Sequence, residues 1–109
     1  MKRRSQGSFR VVKKKRLPLA FQSILWSKSI RELDREGDKV YIIHQILSYG
    51  DLKKLRMLFE IYDRKEIREI FAKFPKKIYQ PAVFHFIKNF ILGFRNKRLR
   101  ESDYVKTPF

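Results

Sequence analysis

Cysteine is absent from this chain of 109 residues. That excludes a disulfide framework and a thiolate metal centre, and it makes a reducing cytoplasm the expected compartment. Acidic residues are scarce: 11 Asp and Glu stand against 27 Lys and Arg, for a formal charge of +16. Long apolar runs are missing as well. The longest, residues 81–92, is interrupted by His85, Lys88 and Asn89 and is far shorter than the roughly 20 residues that span a bilayer, so no membrane partner is expected. The basic N-terminus has no apolar stretch directly behind it and no small-residue cleavage site, so it reads as an arm and not as a secretory signal. His44 and His85 are the two histidines, with no second ligand four residues on, so neither a metal nor a cofactor is expected.

What is present is concentrated charge at the ends and apolar periodicity between them. Residues 1–16 hold eight Lys and Arg and no acid, whereas residues 17–50 hold four of each sign. The charge predicts a basic, disordered arm over 1–16, a helical domain over 17–93 and a basic extension over 94–109 that frays. Residues 39–74 form the organising stretch. At 100° per residue, Val40, Ile42, Ile43, Ile46, Leu47 and Tyr49 fill half a helix, and Tyr41, His44, Gln45 and Ser48 the other half. Gly50 is expected to end it in the left-handed conformation, and Asp51 to cap a second helix whose face carries Leu52, Leu55, Leu58, Phe59 and Tyr62. Asp63 with Glu66 suggests a capping box before Ile67, Ile70, Phe71 and Phe74.

On either side, Pro18 suits the first turn of a helix closed by Trp26, and Asp38 is placed to cap the central helix. Pro81 opens a last helix with an unusually wide apolar face. The whole predicts an all-α fold, a compact five-helix domain with a trihelical centre, with helices at about 17–27, 39–49, 51–62, 64–74 and 81–92 and flexible basic termini.

Catalytic chemistry is not supported. Gly7-Ser8 with Asp34-x-Glu36 superficially resembles the glycine–serine and paired-carboxylate pattern of nucleotidyltransferases, but no strand carries either half. No phosphate loop, dinucleotide fingerprint or nucleophile–base pairing occurs, so neither an enzyme nor a small-molecule substrate is expected. The charge instead favours a polyanion, DNA or RNA. The candidate phosphate contacts are Lys13, Lys14, Lys15 and Arg16 on the arm, Lys53 and Arg56 on the second helix, and Lys76, Lys77, Arg95, Lys97 and Arg98 beyond it. Helices 39–49 and 51–62 can be read as a helix-turn-helix, although one residue is a short turn for that motif, and an ordinary helical hairpin is the preferred reading. Phe59, Phe71, Phe74, Phe84 and Phe90 fall on apolar faces and are assigned to packing. Phe9, Tyr41, Tyr79 and Tyr104 are the rings expected at the surface.

Taken together, Leu25-Trp26, Ile42-Ile43, Ile46-Leu47-x-Tyr49-Gly50-Asp51-Leu52, the Leu55, Leu58, Tyr62 helix, Ile67-Arg68-Glu69 and an apolar helix entered through proline resemble a family of small helical prokaryotic domains. That family is commonly encoded beside nucleotidyltransferase toxins of the abortive-infection type and looks like their antitoxin-side partner. The resemblance covers residues 17–93. It implies a non-enzymatic protein that binds and restrains such a toxin. The apolar width of the last helix places the partner on Phe84, Phe86 and Ile91. The alternative, from charge, is a nucleic-acid-binding module that also represses its own operon.

Overall fold

The computed structural model describes residues 17–94 and 98–106. The arm with Phe9 and Lys13 to Arg16, together with Arg95 and Lys97, lies outside the described residues. Among the described residues four α-helices build the fold: α1 (Lys39–Tyr49), α2 (Leu52–Ile61), α3 (Arg64–Lys73) and α4 (Pro81–Phe86). α4 continues into a π-helical turn, Ile87–Ile91, and short 3₁₀ turns occupy Leu19–Ser23, Ile30–Glu32 and Glu101–Asp103.

α1 is the axis, packed on both α2 and α3. Its centre is buried on all sides, because Ile42 through Leu47 are all inaccessible, His44 and Gln45 included. His44 and Gln45, from the expected polar half of this helix, are therefore internal, while Tyr41 and Ser48 are half-buried. Both polar side chains are paired, as burial requires: Gln45 donates to the Ile24 carbonyl at 2.9 Å, and both ring nitrogens of His44 are bonded.

Helix ends differ from expectation in ways that follow from competing bonds. Asp51 caps α2 as expected, its Oδ1 accepting from the Lys54 amide at 2.9 Å. Asp38 turns away from α1 and accepts from the Asp34 amide at 2.8 Å. The capping box on α3 does not form, because the Glu66 carboxylate is held by the Lys39 ammonium of α1 at 2.8 Å. Gly50 is extended, with φ −80° and ψ 157°, and not left-handed. Its lack of a side chain matters for space, since a Cβ there would lie 2.6 Å from the Ile46 carbonyl oxygen. The left-handed glycine is Gly93, at φ 71°.

The first predicted helix is a five-residue 3₁₀ turn, so four α-helices replace five. Gln22 explains the early stop. Its side chain donates to the carbonyls of Leu25 and Lys28 and accepts from the Ile30 amide, satisfying backbone groups that a longer helix would have paired internally. Phe21, Ile24 and Leu25 still reach the core, while Trp26 is left outside.

The largest departure is at the C-terminal end. Residues 98–106 do not fray. Tyr79 donates its amide to the Tyr104 carbonyl at 2.8 Å and accepts from the Lys106 amide at 3.0 Å, an isolated parallel bridge between Tyr79 and Val105. Tyr79 and Tyr104, expected at the surface, are buried. They gather with Phe84 and Phe94 around Phe71, whose ring centroid lies 4.7 Å from Tyr104, 5.7 Å from Tyr79 and 6.2 Å from each of the two phenylalanines. Each such pair contributes about 1 kcal/mol beyond area burial. Phe74 and Phe90, assigned to packing by their periodicity, are exposed instead.

Candidate functional site

α4 and its continuation carry the first candidate surface. The π turn closes with the Leu92 amide on the Ile87 carbonyl at 2.9 Å, one residue more per turn than an α-helix, and such insertions concentrate at functional sites. It re-aims the side chains that follow. Of the residues assigned to a partner, Phe84 is buried against Phe71 and Tyr104, so it belongs to the core. Phe86 is exposed and Ile91 half-buried. Phe90 joins Phe86 at the surface, with ring centroids 6.2 Å apart. The surface pair is thus Phe86 and Phe90.

A second surface lies along α1. Trp26, the one tryptophan of the chain, is 64% exposed, with its indole N–H bonded to the Ser23 carbonyl at 2.8 Å. Its ring meets Tyr49 at 5.0 Å and an angle of 50°. The Lys106 ammonium stands 5.5 Å from the centre of the Tyr49 ring, and the Lys76 ammonium 5.8 Å from that of Tyr41. The Tyr41 hydroxyl accepts from the Ser27 amide at 3.0 Å, tying the Trp26 loop to the other end of the same helix.

A third is a depression of about 380 Å³ between α3 and the C-terminal segment, lined by Lys65, Arg68, Glu69, Lys73, Phe94 and Leu99. The Arg68 guanidinium lies 4.5 Å over Phe94, and its buried Nε has no hydrogen-bond partner among the described residues.

The remaining predicted phosphate contacts are scattered. Lys53 and Arg56 are exposed on α2, Lys77 lies exposed on the connector after α3, and Arg98 is exposed beyond Gly93. Lys76 joins the α1 strip. Sequence reasoning missed Trp26, Tyr49 and Lys106 as a group. The eight-residue spacing of Tyr41 and Tyr49 along one helix was visible, although its periodicity put them in different halves. Lys106 was not, because its place depends on the bridge to Tyr79.

Titratable chemistry in the interior is suppressed. Burial lowers the His44 imidazolium to about 4, raises Tyr104 to about 12 and pushes Tyr79 well above the phenol range. Among the described residues, no group of three or more His, Asp or Glu is placed to hold a metal ion. No helix among them is long and apolar enough to cross a membrane.

Fold and surface together define a small all-α domain. The model of a family of unknown function, DUF6922, matches residues 21–71, a stretch that runs from the first 3₁₀ turn into α3. No curated protein and no solved structure matches the chain.

Proposed function

We propose that this protein is a non-enzymatic, antitoxin-like binding protein that docks on and restrains a nucleotidyltransferase. The observation that carries the docking is the exposed pair of Phe86, at the end of α4, and Phe90, on the π turn that follows. Two neighbouring exposed rings resemble the aromatic anchors at the centre of protein interfaces. The nature of the partner rests on the family resemblance of residues 17–93. The test is co-purification with a nucleotidyltransferase encoded beside this chain. The complex should survive removal of residues 1–16 and be lost in a Phe86→Asp, Phe90→Asp variant. A complex that forms unchanged with that variant, or the lack of any such neighbouring gene, overturns the reading.

A second reading, nucleic-acid binding, is favoured by the ammonium groups of Lys76 and Lys106 set over the half-buried rings of Tyr41 and Tyr49. The formal charge of +16 supplies the long-range attraction. Cooperation of the two readings in one protein would make it an operon autoregulator.

A further inference from the structure

We infer that Trp26, Tyr49 and Tyr41, flanked by Lys106 and Lys76, form a site on which bases of a single-stranded nucleic acid stack. The inference deepens the second reading above and is independent of the toxin.

Three features converge. Trp26 exposes 64% of its surface, yet its indole is not loose, because its N–H is already committed to the Ser23 carbonyl at 2.8 Å. Its polar atom is satisfied, so what it offers a ligand is a flat apolar face. The ring is also buttressed by Tyr49 at 5.0 Å, at an inclined angle that leaves the two rings meeting as a corner and not as a closed stack. Tyr49 is pinned in turn, its hydroxyl donating to the Ile78 carbonyl at 3.4 Å. A platform held in this way loses little conformational freedom when a base settles on it.

The cations supply the second half of a nucleotide's chemistry. The Lys106 and Lys76 ammonium groups stand over the rings of Tyr49 and Tyr41, near the open face of Trp26 on the Tyr49 side. Eight residues of helix separate those tyrosines, about 12 Å along the axis, the span of a short run of nucleotides. An exposed indole face with ammonium groups near it suits a strand that alternates base and phosphate. Duplex fits poorly, because its base faces are hidden in the stack, and a single strand exposes them.

Trp26 is the one tryptophan, so its emission reports the site directly. The full chain is titrated at about 50 mM salt with oligothymidylate and oligouridylate of about 15 nucleotides, with a duplex of equal length, and with poly-glutamate. Both single strands should quench Trp26, while duplex and poly-glutamate should not, and the stronger of the two strands identifies DNA or RNA as the preferred source. By anisotropy of a labelled strand, Trp26→Ala should weaken binding about tenfold, and Trp26→Phe should retain most of it. Lys76→Ala and Lys106→Ala should each lower the logarithmic salt slope by about 0.7. Trp26 is exposed, so an unchanged circular dichroism spectrum is expected for each Trp26 variant. Single-strand binding without quenching, or unchanged single-strand affinity in Trp26→Ala, overturns this site and leaves the second reading standing. No binding by any nucleic acid overturns both. Quenching by poly-glutamate equal to that by single strands assigns the strip to an acidic polypeptide and overturns the site.

Discussion

His44 and Tyr79 meet at 2.7 Å inside the protein, the tyrosine hydroxyl donating to Nδ1 of the imidazole. The direction follows from the other nitrogen, because Nε2 lies 2.7 Å from the Phe74 carbonyl, which can only accept. The ring is therefore the neutral Nε2–H tautomer, and it joins α1 to the end of α3 and to the connector that leads to α4.

Acid should undo this joint. His44 has its folded value lowered from 6.5 to about 4, so between these limits the unfolded chain binds the extra proton. The stability it contributes is full above about pH 6.5 and is lost as pH falls towards 4, amounting to about 3 kcal/mol. Denaturant midpoints measured between pH 7.5 and 4 should decline across this window. A His44→Gln variant, less stable at neutral pH, should show a flatter decline.

Removing the hydroxyl alone should be costly. Tyr79→Phe leaves Nδ1 of His44 buried without a donor and should lose about 1–3 kcal/mol. Tyr104→Phe removes a single bond to the Phe71 carbonyl, 2.6 Å long, and should lose about 1 kcal/mol. Urea unfolding of the two variants side by side measures the difference.

Gly50→Ala should be disproportionately harmful for so small a change. The added Cβ would stand 2.6 Å from the Ile46 carbonyl and 3.2 Å from its Cγ2, forcing α1 and α2 apart at their junction. A loss of about 2 kcal/mol is expected, within the range for overpacking. Gly93→Ala, where φ is 71°, should lose about 1–2 kcal/mol through backbone strain alone. Thermal melts of both variants provide the check.

Duplex binding, if carried by phosphate contacts from about six basic residues, should show a logarithmic salt slope near −5 and fall roughly 10³-fold in affinity between 50 and 200 mM salt. Changing Lys13, Lys14, Lys15 and Arg16 to Ala should flatten that slope about equally for unrelated sequences. Arg56→Ala should have little effect unless α2 enters a groove. Filter binding over a salt series decides between these outcomes.

The central helices were legible because their apolar residues recur at helical spacing and short loops separate them. α2 and α3 follow that pattern through Leu55, Leu58, Ile67, Ile70 and Phe71. Non-local pairing was not legible. His44 and Gln45 look like surface residues until Tyr79, Phe74 and Ile24 supply their partners. Tyr104 looks like part of a polar tail until Tyr79, 25 residues earlier, meets it backbone to backbone. Gln22 stopped the first helix through bonds that helical propensity does not encode. For the candidate surfaces, the width of the last helix pointed to an element that does expose aromatic rings. The π turn then decided which rings emerged, exchanging Phe84 for Phe90.

The position of Phe71 bears on where this protein can be cut. It is the last residue of the stretch matched by the family model, yet of the rings packed around it only His44 comes from earlier among the described residues, and Tyr79, Phe84, Phe94 and Tyr104 come from later in the chain. A fragment ending at the family boundary would present a bare aromatic hub to water and would lose the Tyr79 hydroxyl that His44 requires. A piece that keeps this core intact therefore runs at least through Lys106, whose amide completes the bridge to Tyr79, and fusion tags or crystallisation boundaries placed nearer than that would break the core and not trim an appendage.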